Sequence, residues 1–183
     1  MTINDYISEN LNSKDKLPFD TLVTEHTKKT MLTKLDQKEN NIYFLKAGIV
    51  EVGMEKEGED RIIEFYFSNQ FFSSYTSFLT QNKSDVYITC LTDCIIESIS
   101  HSKITEAYKT SLIANQFGRH ITEVIYMQRV KKEKDILTKN AEQRYMELIK
   151  KRPEVIKQIP ISRIAKYLGI HPESLSRLRR TIS

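Results

Sequence analysis

Glu173, Ser176, Arg177, Arg179 and Arg180 crowd one short stretch near the carboxyl end. A carboxylate, a hydroxyl and planar guanidinium groups at helical spacing suit contact with a nucleic-acid duplex. A guanidinium matches O6 and N7 of guanine, a carboxylate accepts from the cytosine amino group, and a hydroxyl adds a base or thymine-methyl contact. On that reading Glu173, Ser176, Arg177 and Arg180 can touch base edges and phosphates. Arg163, Lys166, Arg179 and Arg180 are candidates for the phosphate backbone.

The elements that must position these groups run from Ile161 to Ile182, ISRIAKYLGIHPESLSRLRRTI. The pattern predicts two short helices and a tight turn. Ser162 suits the cap of the first, and Ile164, Ala165 and Leu168 share one of its faces. Gly169 stops it, because glycine takes positive φ without steric cost. Ile170 plugs the angle between the helices. Pro172 suits a first helical turn, and Glu173 suits its positive end. Leu175 and Leu178 turn inward, leaving Glu173, Ser176, Arg177 and Arg180 outward. This is the pattern of a helix-turn-helix with a recognition helix. The same residues would also suit an αα-corner with a solvated basic face. The spacing of the small Ala165, Gly169 and the Ser-Arg pair favours the helix-turn-helix.

LGIHPESLSRLRR resembles the recognition helix of the CRP/FNR family of bacterial transcription regulators. The resemblance puts Glu173 and Arg177 at the family's base-reading positions, and E-x-x-S-R is closer to its FNR branch. Pro172 stands where CRP-like members carry another base-contacting Arg, so that contact is absent here.

The charge distribution agrees. Of the 28 Lys/Arg and 24 Asp/Glu, 14 and 6 lie between Lys131 and Ser183, a net of +8 against −4 for the remaining residues. Phosphate neutralisation calls for such a concentration. An anionic membrane surface would also attract it, but the apolar residues there are committed to a helical core. No run approaches the roughly 18 apolar residues of a membrane helix. The start, MTINDYISENLNSKDK, lacks the pattern of a signal peptide. Two cysteines without a secretion signal predict a reduced, cytoplasmic setting.

Ahead of that segment, Met1 to about Leu17 reads as a helix with Ile3, Tyr6, Ile7 and Leu11 on one face. Short strands are expected at Thr30–Leu35, Ile42–Leu45, Ile49–Gly53, Arg61–Phe67, Asp85–Thr89 and Ile95–Ile99, separated by turn residues. An antiparallel sandwich or roll follows. IYFLKAGIVEV and GEDRIIEFYFSNQFF resemble the cyclic-nucleotide-binding β-roll of the same family. That family holds its ligand with Gly-Glu-Leu at a helix start and an Arg-Ser pair. Here Ser73 and Ser74 stand for Gly and Glu, and Ser84 and Asp85 for Arg and Ser. Asp85 would repel a phosphate. Ser73, Ser74, Tyr75, Thr76, Lys83 and Ser84 form the candidate effector pocket, for another small molecule or none; cyclic AMP is not expected. No cofactor is expected. Cys90 and Cys94 lack the further cysteines an iron–sulfur sensor would need, so no metal is expected. His26, His101, His120 and His171 are scattered, and no catalytic set can be assembled; the chain does not read as an enzyme.

From about Lys103 the period is helical. Ile113, Phe117, Ile121, Val124 and Gln128 recur at three- and four-residue steps, toward Thr138. This reads either as a core helix on the roll or, as in the family, as a dimer helix pairing with its two-fold mate; the dimer is favoured. Thr138–Asn140 reads as a hinge. Seven residues, PEVIKQI, lie where family members fit a β-hairpin wing, too few for a full one.

The expected fold is α+β: an N-terminal antiparallel β-roll (cyclic-nucleotide-binding-like jelly roll) with an N-terminal helix over 1–110, a long dimerisation helix over 111–138 and a C-terminal helix-turn-helix domain over 139–183. The expected function is sequence-specific DNA-binding transcription regulation as a homodimer, with double-stranded DNA as partner, RNA polymerase as a further one, and no membrane. The competing expectation is a ligand-sensing β-roll protein that regulates a partner protein through its helical tail.

Overall fold

The computed structural model describes residues 1–182; of the side chains of residues 154–156, 181 and 182 nothing is described. The elements are α1 (Ile3–Leu11), β1 (Leu22–His26), β2 (Met31–Thr33), β3 (Asn41–Ala47), β4 (Val50–Lys56), β5 (Glu59–Tyr66), β6 (Gln70–Phe72), α2 (Tyr75–Thr80), β7 (Tyr87–Cys90), β8 (Cys94–Ser100), α3 (His101–Ala107), α4 (Leu112–Thr138), α5 (Ala141–Lys151), α6 (Pro153–Gln158), α7 (Ile161–Leu168) and α8 (Pro172–Ile182). The strands form two four-stranded sheets, in the orders β1-β8-β3-β6 and β2-β7-β4-β5. The pairings β1–β8, β3–β8, β3–β6 and β2–β7 are antiparallel. The expected antiparallel roll is present, with two strands that the sequence pattern does not announce. β1 leaves Leu22 and Val23 exposed, so it carries no apolar alternation. β6 has three residues, too short for a period to show.

The compact units are not linear segments of the chain. One comprises Met1–Val52 with Phe65–Ile125, the other Gly53–Glu64 with Tyr126–Ser183. In the first, α1 starts with a reciprocal cap. The Asp5 amide donates to Thr2 Oγ1 at 3.1 Å and the Thr2 amide to Asp5 Oδ2 at 2.7 Å. Ile3 and Ile7 of α1 enter a core with Ile42, Phe44, Phe71, Ile104, Phe117 and Ile121. The buried Glu97 carboxylate ties the chain start to β8, accepting from the Ile3 amide (3.0 Å) and from Thr21 Oγ1 (2.6 Å).

Ile113, Phe117 and Ile121 are buried at 7, 0 and 0 % exposure in this core. Their burial removes them from the dimer seam that the helical period suggested. The periodicity is real, but the roll takes that face. Val124 is half-buried and Gln128 exposed.

In the second unit, β4 and β5 are joined by Glu57 and Gly58, both at positive φ (56 and 77°), as a two-residue hairpin turn requires. α5 begins with a capping box: the Gln143 amide donates to Asn140 Oδ1 at 2.9 Å, and the Asn140 amide to Gln143 Oε1 at 3.0 Å. Just before it, Lys139 bonds Asp135 (2.6 Å) and Glu147 (2.5 Å), so the short α4–α5 link is braced by charge. In the stretch too short for a full wing, the backbone forms α6.

Gly48 lies at φ 102°, and a Cβ there would sit 2.5 Å from Asp93 O and 2.6 Å from Cys94 Sγ. Gly169 lies at φ 71° with nothing within 4 Å of such an atom. Gly48→Ala therefore adds a clash to backbone strain and should cost about 3 kcal/mol. Gly169→Ala meets strain alone and should cost about 1–2 kcal/mol. Urea denaturation of both variants checks this; equal losses would refute the distinction.

Candidate nucleic-acid interface

α7 has Pro160, not Ser162, at its N-cap, and no side chain caps it. Ser162 lies exposed inside the helix. The C-terminal end behaves as the sequence predicts. Gly169 is left-handed, and the Ile170 amide returns to Ala165 O at 3.0 Å. Arg144 of α5 adds a bond from Nη2 to Leu168 O at 2.9 Å, satisfying one of the last carbonyls. α8 then starts at Pro172, a position where a missing N–H costs nothing.

Ile164, Ala165 and Leu168 of α7 are buried, as are Leu175 of α8, Tyr145 of α5 and Ile159. Ala165 and Leu175 are 0 % exposed, so the close approach expected of a small residue is realised. Leu178 is half-buried. Burial of one stripe sends the opposite face of α8 outward. Glu173, Arg177 and Arg180 are exposed, and Ser176 and Arg179 half-buried. The structure thus brings the expected base-reading and backbone residues of α8 onto one helix.

Arg163 and Lys166, on α7, have partners the sequence did not reveal. Asp60 Oδ2 accepts from Arg163 Nη1 at 3.0 Å and from Lys166 Nζ at 3.1 Å. Burial would raise the Asp60 carboxyl, but the bonds from Lys166 and Arg163 outweigh it and hold the group below its ordinary range. Next to them on α7, the Tyr167 ring carries Lys132 Nζ 4.2 Å from its centroid. Lys132 also donates to Ile63 O and to Glu64 Oε2.

The candidate effector residues lie around α2 and the loop before β7. Their hydroxyls bond to the protein itself. Ser73 Oγ donates to Asn41 O (2.8 Å), Ser84 Oγ reaches Ser74 Oγ (2.7 Å) and Val86 O (2.6 Å), and Tyr75 OH pairs with Thr122 Oγ1 (2.7 Å). Thr76 and Lys83 are exposed. A residue that sequence reasoning missed organises this region. Glu39, 2 % exposed, accepts from Thr33 Oγ1, the Asn41 amide (2.9 Å) and Tyr43 OH (3.1 Å). Its own amide donates to Ser77 Oγ at 3.0 Å. Burial pushes the Glu39 carboxyl above the ordinary range, and its donors pull back only part of that. A glutamate between lysine and asparagine reads as a surface turn residue, so no local signal marks it.

Cys90 and Cys94 are both free and buried. Their mutual hydrogen bond raises the Cys90 thiol and lowers that of Cys94. His120 pairs with Tyr6 OH at 3.1 Å, His101 packs edge-on against Phe78, and His171 is exposed on the turn before α8. Among the described residues no three His, Cys, Asp or Glu side chains gather as a metal site. No helix there is long and apolar enough to cross a membrane.

Residues 23–111 match the cyclic nucleotide-binding domain family. Three solved structures match over most of the chain. The c-di-GMP responsive global regulator CLP of Xanthomonas campestris has 15% identity and a TM-score of 0.71, over 88% of this chain and 86% of its own. FixK2 from Bradyrhizobium japonicum has 15% identity and a TM-score of 0.72, over 90% and 85%. A chain from Eubacterium rectale assigned to the crp/fnr family of transcriptional regulators has 16% identity and a TM-score of 0.69, over 97% and 81%. The fold is that of the CRP/FNR regulators. No curated protein matches the chain in sequence. The structural neighbours of this CRP/FNR-type fold are regulators rather than enzymes.

Glu39→Ala leaves three donors without their acceptor and should cost about 2–4 kcal/mol. Because the Glu39 carboxyl is raised in the folded state, its contribution to stability is fully present below the ordinary carboxylate value and is lost as pH rises through the raised one. Glu39→Gln lacks that titration. Its unfolding midpoint should gain on that of the unaltered protein as pH rises above the ordinary carboxylate range. A pH-independent difference would count against the buried carboxyl.

Proposed function

We propose that the protein is a sequence-specific DNA-binding transcription regulator of the CRP/FNR type, acting as a homodimer on a two-fold symmetric operator. The observation that carries this reading is the outward face of α8. Glu173, Arg177 and Arg180 stand exposed on a helix seated by Gly169 and by the buried Leu175. With α7 it makes a helix-turn-helix, α8 being the recognition helix. Arg177 reads guanine, Glu173 accepts from cytosine, and Ser176 adds a base or methyl contact. Arg179 and Arg180 meet phosphates, joined by Arg163 and Lys166 of α7. The setting is the cytoplasm, and RNA polymerase is a further partner.

The pairing surface lies on α4, on the side opposite the buried Phe117 and Ile121. At about 100° per residue, Leu112, Tyr126, Val130 and Leu137 form one stripe. Leu112, Tyr126 and Leu137 are 73, 65 and 77 % exposed. An apolar stripe of this kind on a long helix suits a second copy. Two recognition helices would then address half-sites about 34 Å apart.

Cyclic AMP is not the effector on this reading. The positions that resemble the family's Arg-Ser pair are Ser84 and Asp85, and the neighbouring hydroxyls are bonded internally. Another small molecule remains a candidate.

Selection from a random duplex pool should return a two-fold symmetric site. Arg177→Ala should cost about 1–3 kcal/mol on that site and relax specificity at one base pair, whereas Arg180→Ala should weaken all sequences alike. Equal loss on specific and random duplexes for Arg177→Ala would refute its role. Affinity should fall steeply with salt; docking of the helical tail to a partner protein through an apolar face predicts a shallow dependence. Tyr126→Glu with Leu137→Glu should shift sedimentation from dimer to monomer while leaving the fold intact. A dimer that persists would displace the pairing surface from α4.

A further inference from the structure

The β4–β5 hairpin and α7 carry opposite charges at one point. A single oxygen, Asp60 Oδ2, holds both Arg163 (3.0 Å) and Lys166 (3.1 Å). These two side chains lie on the helix that precedes the recognition helix, where they are available in type and spacing for a phosphate. A carboxylate and a phosphate oxygen present the same chemistry to a guanidinium and an ammonium: charge-assisted acceptance. Asp60 and Lys166 each keep 39 % side-chain exposure, and Arg163 25 %. Partly exposed ion pairs of this kind are weak enough to be exchanged for another anion. A cleft of about 400 Å³ opens beside them, lined by Glu59, Asp60, Arg61, Lys166, Gly169 and His171 among others. The pair is therefore reachable from solvent.

We propose that the β4–β5 hairpin is an autoinhibitory latch, in which Asp60 occupies the place of a duplex phosphate on α7 and withholds Arg163 and Lys166 from nucleic acid until the hairpin lets go. The idea rests on the DNA-binding reading and adds a regulation to it. Residues 53–64 group with the C-terminal helices rather than with the roll. The same strands begin and end in the roll's sheet. The latch differs from a general acidic repulsion, because it acts through two named cations at hydrogen-bond distance. Lys132, held by Ile63 O and Glu64 on the same strand, is a second tie between β5 and the helices.

The test uses the full chain with Asp60→Asn, with Glu57→Gln as the control for an equal change of charge at the hairpin turn. Asp60→Ser serves as a second variant. One arm measures binding to a random-sequence duplex at several salt concentrations. The other measures salt elution from immobilised heparin, a polyanion that is not DNA. Asp60→Asn should bind the duplex about tenfold more tightly than Glu57→Gln, with a salt slope steeper by about 1–2 as further phosphates are neutralised. It should also elute from heparin at higher salt. Both differences should vanish in an Arg163→Gln, Lys166→Gln background. Equal behaviour of Asp60→Asn and Glu57→Gln in both arms would overturn the latch. If no variant binds duplex but Asp60→Asn still elutes later from heparin, the latch stands and the DNA reading falls.

Discussion

At residue 169 the backbone enters the left-handed region, and the placement of the outward charges on α8 follows from that turn. A helix that ends this way returns its next amide onto its own last turn, here Ile170 onto Ala165. The chain then starts α8 at Pro172 with its direction already set. Leu175 drops into the seam with Ile164, Ala165 and Leu168. Once these four are buried, a rigid helix turns Glu173, Arg177 and Arg180 to its exposed side. The charge pattern of the surface is thus a consequence of the packing beneath it.

The same logic divides α4. A helix of 27 residues has more surface than one neighbour can cover. Its first turns put Ile113, Phe117 and Ile121 into the core of the roll, beside Phe71 and Ile7. The side opposite is left with Leu112, Tyr126 and Leu137 exposed.

In the roll, charge is handled by enclosure rather than by exposure. Glu39 and Glu97 are both nearly inaccessible, and each accepts from a backbone amide and at least one hydroxyl. Buried carboxylates without such donors would be costly. Ser73, Ser74 and Ser84 bond to main-chain carbonyls and to one another. Elsewhere, the hairpin acid Asp60 takes up two cations of α7, Arg163 and Lys166. In both places an internal acceptor stands where an external anion could be imagined.

Much of the architecture was legible in the residues. The helix ends at Gly169 and Pro172, the long helix ending at Thr138 and the strands around Gly48 are local events, dictated by φ preferences and by periods of two and 3.6. What periodicity cannot say is which partner takes an apolar face. By their period Phe117 and Ile121 read as a seam between copies in preference to a core face, and only the roll's geometry allotted them to the core. Nor could local pattern foresee Glu39 meeting Thr33 and Tyr43, or Asp60 meeting Arg163 about a hundred residues on. Local sequence determines how each element forms and which face is apolar, because those preferences act within a few residues; long-range partners are decided by the tertiary fold, since only chain closure brings distant side chains within hydrogen-bond reach.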